Sequence, residues 1–226
     1  MNKSNNITPQ LIHMWEKSAD PWGAKDHQSK FIYANPAFYQ LLDLPEHFDI
    51  TGLNIGDLPS PIAGYEKEFG RQEQKVIQTT QRVTSMEIHP FGKHQINQIY
   101  LCDKYPLYDD HGDCIGITFH MYKVPNFSTA YYYDQAMPAT LELTFPSNIL
   151  TQTEWEILFL LLRSLDEKSI GKELMLNTED VIHHIQSIYQ KFNISRQEDL
   201  KPFCKTHQFD HYLPERFIAV GSKEIN

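Results

Sequence analysis

The chain has 226 residues, 41% of them hydrophobic, enough for one large core or two modest ones. Its formal net charge of -9 argues against broad nonspecific attraction to phosphate, so any nucleic-acid contact must come from a local face. No apolar run reaches membrane-spanning length, the start MNKSNNITPQ lacks a secretory pattern, and Cys102, Cys114 and Cys204 form no CxxC pair. These features predict a cytoplasmic protein with buried or half-buried thiols and neither a disulfide framework nor a structural zinc site.

Residues 7–20 (ITPQLIHMWEKSAD) set Ile7, Leu11, Met14 and Trp15 near helical spacing, and Asp20-Pro21 stops that helix, which gives an N-terminal segment over 1–19. PWGAKD and FIYAN read as two strands around the polar tip HQSK. Asn35-Pro36 then opens a short helix in PAFYQLLDLP, with Phe38, Leu41 and Leu42 on one side. After the turn-rich DITGLNIGDLPSPIAGY, residues 65–82 repeat Tyr65, Phe69, Val76 and Ile77 amid charge, the pattern of a surface helix. TSMEIHPF, NQIYLCDKYPLYD and DCIGITFHMYKV predict three more strands, the last two joined at Asp110-His111-Gly112-Asp113. This order implies an α+β domain over 20–125: a five-stranded antiparallel sheet, helices across one face and a pocket between them.

Residues 126–147 have mixed composition and read as a linker, with LELTF as a short extended segment and Tyr131, Tyr132 and Tyr133 available to pack on a neighbour. Over 148–208 the strand signal gives way to an all-α domain. Thr151 and Glu154 form a capping box ahead of Trp155, Leu158, Phe159 and Leu162, and EKSIGKELM is a second helix. In TEDVIHHIQSIYQKF (178–192), Val181, Ile185, Ile188 and Phe192 step by four, three and four residues along a buried side, and another helix starts at Arg196. Two helices across a brief turn, the second amphipathic, make a helix-turn-helix layout. Residues 209–226 are a tail that either packs on the core or swaps between subunits.

From Leu150 to Leu200 the chain resembles the LuxR-type DNA-binding domain, with Leu150, Thr151, Glu154, Glu156, Leu158, Lys168, Ile170, Leu174, Val181, His184, Ile188, Lys191 and Leu200 at matching positions. The resemblance implies double-stranded DNA as partner. Lys168, Lys172 and Lys191 are expected to hold phosphates, and His183, Gln186 and Gln190 to read bases, with Thr178 and Ile182 completing the DNA-facing set. The family usually has threonine, valine and lysine at the start of this helix; here stand Asp180, Val181 and Ile182, with Glu179 beside them. Carboxylates there oppose phosphate, although they suit a helix N-terminus. Over 146–205, seven basic residues face nine acidic ones, a balance of -2. A second reading is therefore a degenerate helix-turn-helix used for protein interaction or dimerisation, with Ile182 and Tyr189 on the partner.

PWGAKD, FIYANPAFYQLL and YPLYDDHGDCIGITF resemble the PAS sensory fold over 20–124. The series WGAKD, FIYAN, LPSP, EF and EIHPF resembles the PAS-plus-LuxR regulators of gammaproteobacteria. That resemblance implies a cytoplasmic, usually homodimeric transcription factor, quorum-sensing receptors among them, whose sensor binds a diffusible small molecule and alters the spacing of its DNA-binding domains. Cys102 and Cys114 fall in strands rather than the helix of flavin sensors, and residues 65–82 lack the histidine of haem sensors, so no cofactor is expected. Alternation places Tyr100, Cys102 and Lys104 on one strand face. The family pattern carries a lysine two residues before this strand's proline, matching Lys104, and a phenylalanine after the long helix's glutamate, matching Phe69. The expected pocket is Phe38, Phe69, Tyr100, Cys102 and Lys104, with Lys104 as donor. The alternative is ordinary core phenylalanines and an exposed lysine. There is no phosphate-cradling glycine loop, and adjacent His183 and His184 diverge by about 100° on a helix, so neither catalysis nor a metal site is expected.

Overall fold

The computed structural model describes residues 7–45, 47–123 and 141–225. It divides into two compact units, one of Met1–Val124 with Ala219–Asn226 and one of Pro125–Ile218. The first contains helix α1 (Pro9–Glu16), strands β1 (Trp22–Asp26) and β2 (Phe31–Ala34), and helices α2 (Pro36–Leu42) and α3 (Glu66–Thr79). Strands β3 (Val83–Phe91), β4 (Ile96–Tyr108) and β5 (Cys114–Tyr122) follow. The second unit holds helices α4 (Gln152–Leu162), α5 (Glu167–Leu174), α6 (Thr178–Phe192) and α7 (Gln197–Thr206), after which strand β6 (Gly221–Ile225) returns to the first.

The sheet is antiparallel throughout with order β2-β1-β5-β4-β3-β6. It therefore has six strands where five were expected. The sixth is the tail, whose GSKEI pairs with β3 from Thr84↔Ile225 to Ile88↔Gly221. An unpaired β3 edge would leave a row of backbone donors and acceptors open, and β6 covers it.

Alternation along the strands separates two apolar layers. Ile117, Phe119 and Met121 of β5 join Phe31, Phe38, Phe69, Val76 and Cys102 under α2 and α3. Ala24, Ile32 and Leu107 lie with Ile7 and Trp15 of the α1 segment. Trp15 stacks on Trp22 at 5.9 Å, which is why the lead segment is held to the sheet's second face.

Asn35 joins these layers. Its side-chain amide donates to the Trp15 carbonyl at 2.8 Å and the Asp20 carbonyl at 2.9 Å, and its oxygen accepts from the Trp22 and Phe38 amides at 2.9 and 3.0 Å. One buried residue thus caps α2 and pins the end of α1 to β1. Asn35→Ala removes all four bonds; the Trp15 carbonyl keeps the Ser18 amide at 3.1 Å and the Phe38 amide keeps the Asn35 carbonyl at 3.0 Å, but the Trp22 amide and the Asp20 carbonyl lose their partner, so a loss of about 2–4 kcal/mol is expected in urea denaturation of the full chain. A loss below about 1 kcal/mol would show that water replaces these bonds.

In the second unit the Thr151 hydroxyl accepts from the Glu154 amide at 3.3 Å and Glu154 Oε2 accepts from the Thr151 amide at 2.6 Å, the expected capping box. Asp166 and Asn177 cap α5 and α6 by accepting from the Ser169 and Asp180 amides at 2.7 Å each, without the reciprocal bond. Trp155, Leu158, Ile170, Val181, Ile185, Ile188 and Phe192 form one core with Phe209 and Tyr212, so the first part of the tail packs on these helices. Gly171, inside α5, lets the chain that leaves the helix pass close to it: a Cβ there would lie 2.8 Å from the Leu176 carbonyl oxygen. Of the expected linker, 126–140, with the three tyrosines, lies outside the described residues. LELTF forms a single bridge, Glu142 with Tyr212, rather than a strand.

Candidate ligand cavity and nucleic-acid interface

Helix α3 turns Phe69, Gln72, Glu73 and Val76 inward at i, i+3, i+4 and i+7, so two polar residues share the buried stripe with two apolar ones. Opposite them, β3 presents Ser85, Glu87, His89 and Phe91 on one face, β4 presents Cys102 and Lys104, and β1 presents Lys25. Between these elements is a cavity of about 30 Å³ lined mainly by Phe31, Phe38, Ile55, Ile62, Phe69, Phe91, Phe119 and Met121, with Cys102, Lys25, Lys104, Glu73, Glu87 and His89 as its sulfur and polar groups. That is room for about two waters, so a ring-sized guest enters by displacing side chains.

The polar groups are mutually bonded. Lys25 Nζ meets Glu73 Oε1 at 2.5 Å. Lys104 Nζ donates to Gln72 Oε1 at 2.8 Å and Ser85 Oγ at 2.9 Å, and stands 3.6 Å from Glu87 Oε1. Glu87 also accepts from Ser85 at 2.5 Å, from Ser222 of β6 at 2.8 Å, and contacts His89 Nε2 at 3.0 Å. Burial alone would raise the Glu87 pKa, but these donors and Lys104 outweigh it and hold it below the usual carboxylate range. Burial opposes the charge on Lys104, yet Cys102, Glu87 and Glu73 together raise its pKa above the ordinary lysine value. Burial pushes the Cys102 thiol up to about 11, which makes it an inert wall group.

Of the five residues expected at the pocket, Phe38, Phe69, Cys102 and Lys104 line the cavity. Tyr100 does not: it is half-buried and packs edge-on against Phe91 at 5.4 Å. Lys104 is buried rather than exposed, and its donors are already directed at Gln72 and Ser85. Lys25, Glu73, Glu87 and His89 were missed. Reading the polar positions of TSMEIHPF with a period of two aligns Glu87 and His89 with Phe91, and reading 65–82 with a period near 3.6 aligns Glu73 with Phe69; Lys25 has no such signal.

In the helical unit, Lys168, Lys172, Thr178, Ile182, His183, Gln186 and Gln190 are all exposed. Asp180 is drawn into the α6 cap, its Oδ2 accepting from Asn177 Nδ2 at 2.6 Å. Lys191, also expected to hold phosphate, is exposed too, but its ammonium is bonded to Glu154, at 2.8 Å to Oε1 and 2.6 Å to Oε2, and Ser187 donates to the same carboxylate at 2.7 Å. Glu154 lies buried one helix away, so Lys191 ties α6 to α4 rather than presenting a free charge.

The PAS fold family matches residues 15–128, half of the chain. The chain belongs to this PAS family. Behind the PAS domain, the luxR family of bacterial regulatory proteins matches residues 148–201. The PAS–LuxR arrangement as a whole is similar to Vibrio cholera VqmA solved with ligand and DNA: 25% identity, 98% of this chain and 97% of that one covered, TM-score 0.74. It is also similar to a phage VqmA solved with DPO, at 26% identity, coverage of 96% and 95%, and a TM-score of 0.65. A Vibrio cholerae VqmA dimer without target DNA matches at 25% identity, 97% of each chain and a TM-score of 0.51. No protein of curated function matches significantly. Among the described residues, no group of three or more His, Cys, Asp or Glu side chains is placed to hold a metal ion, and no helix is long and apolar enough to cross a membrane.

Proposed function

We propose that this PAS–LuxR protein is a homodimeric, ligand-responsive transcriptional regulator. The PAS cavity takes a small molecule against Phe38, Phe69, Cys102 and Lys104, with Tyr100 at the rim. Helix α6 enters the major groove of duplex DNA with His183, Gln186 and Gln190 toward the bases and Thr178 and Ile182 beside them. Lys168 and Lys172 hold phosphate. The observation that carries this reading is the buried polar network inside an apolar wall: ordinary cores avoid such groups, whereas binding pockets need a few. The VqmA relatives solved with ligand, with DNA and as a dimer support each part.

A duplex selected from a random library against the purified full chain tests the DNA half. Log affinity is expected to fall linearly with log salt, and Lys168→Ala or Lys172→Ala to reduce the slope by about one each. Lys191→Ala is expected to leave the slope unchanged, because its charge is already matched by Glu154. Failure to select any duplex at low salt would favour the protein-interaction reading. A metabolite extract tests the PAS half: a guest at a hundred times its Kd stabilises the protein by about 2.7 kcal/mol.

A further inference from the structure

Two buried polar atoms at the cavity have no hydrogen-bond partner among the described residues, Glu73 Oε2 and His89 Nδ1. Both residues line the cavity, Glu73 at 2% exposure and His89 at 0%. Burying such atoms without partners costs about 1–3 kcal/mol each, so a fold that keeps them there leaves them for something else. Their chemistry follows from their bonded halves. Glu73 uses Oε1 on Lys25, leaving Oε2 as a pure acceptor. Glu87 as a carboxylate can only accept, so the His89 nitrogen facing it, Nε2, carries the proton. In neutral imidazole Nδ1 then offers a lone pair. The donors of Lys104, by contrast, are directed at Gln72 and Ser85.

Charge narrows the guest further. Lys25 and Lys104 balance Glu73 and Glu87 in the cavity wall, so a charged guest would bring an uncompensated charge into a low-dielectric site. The phenylalanines around it offer faces and edges to a flat ring. We infer that the cavity selects an uncharged planar ring bearing two hydrogen-bond donors, one received by Glu73 Oε2 and the other by His89 Nδ1. This rests on the ligand-binding reading above and adds what the ligand must present.

Three rings of the same size with zero, one and two donors test it: m-xylene, m-cresol and resorcinol. The full chain is titrated with each and followed by amide NMR, counting only shifts at cavity-lining residues. Affinity is expected to rise about tenfold with each donor, since each meets an otherwise unpaired buried acceptor. In Glu73→Gln, where one acceptor oxygen becomes a donor, the advantage of resorcinol over m-cresol is expected to vanish. The series on the unsubstituted protein stands by itself if that variant fails to fold. Equal binding of all three overturns the donor requirement and leaves the pocket reading intact. Failure of all three, where the metabolite extract does stabilise the protein, overturns ring selection. Failure of both rings and extract overturns the ligand-binding reading as well.

Discussion

Lys25→Met is expected to destabilise the PAS domain by about 3–5 kcal/mol, because it leaves the Glu73 carboxylate buried without its cation. Lys25 and Glu73 are only 3% and 2% exposed, so water cannot take over the lost partner. The ammonium also lies 4.6 Å from the centre of the Phe31 ring, a contact that methionine partly keeps by packing. The double change Lys25→Met with Glu73→Leu is expected to recover most of that loss, since apolar replacement of both partners removes two desolvation penalties together with one attraction. The readout belongs to the sheet, because a chain of two units need not unfold in one step; the Trp15 indole resonance during urea titration reports it. A single variant that loses under about 1 kcal/mol would mean that the pair is solvated in solution. The double variant also bears on ligand choice: it should stay folded yet lose the advantage of resorcinol over m-cresol, because His89 Nδ1 remains and Glu73 Oε2 does not.

The second large effect lies in the helical unit and is read by pH. Burial would raise the Glu154 pKa, but hydrogen bonds from Lys191, the Thr151 amide and Ser187 outweigh it and bring it down from 4.5 to about 2. Because the folded value is the lower one, the folded unit binds fewer protons than the unfolded chain between these limits. The stabilisation is therefore complete above about pH 4.5 and is lost as pH falls toward about 2. It is on the order of 2 kcal/mol, kept below the full linkage value because the Lys191 side chain is 34% exposed. Lys191→Met should destabilise the unit at neutral pH by about 1–2 kcal/mol and shift its acid unfolding to higher pH, seen at the Trp155 indole resonance. An acid midpoint indifferent to that substitution would show that the capping box and Ser187 hold Glu154 ionised without Lys191.

Both ion pairs join residues far apart in the chain, where no local pattern marks them. Helices were legible where apolar residues recur at three and four, as in Val181, Ile185, Ile188 and Phe192, and where a cap declares itself, as Thr151 with Glu154 does. Strands were legible where alternation is clean, as in TSMEIHPF and DCIGITFHMYKV. The cavity was half legible. Phe38, Phe69, Cys102 and Lys104 stood out through family pattern and strand phase, whereas Glu73, Glu87 and His89 had no place in the expected pocket. Buried charge carries no signature of its own, because the same residue types are exposed in most helices and strands.

Periodicity, caps and turns are set by neighbours along the chain, and so the α+β and all-α halves, their helices and their hairpins were determined by the sequence by itself. Pairing between distant residues was decided only by the tertiary structure. Lys25 finds Glu73 across 48 positions, Lys191 finds Glu154 across 37, and Ser222 finds Glu87 across 135, when the tail adds its strand to the sheet edge. The reason is physical: a buried ionic group tolerates its site only if packing brings a partner to it, and no local spacing states which partner that is.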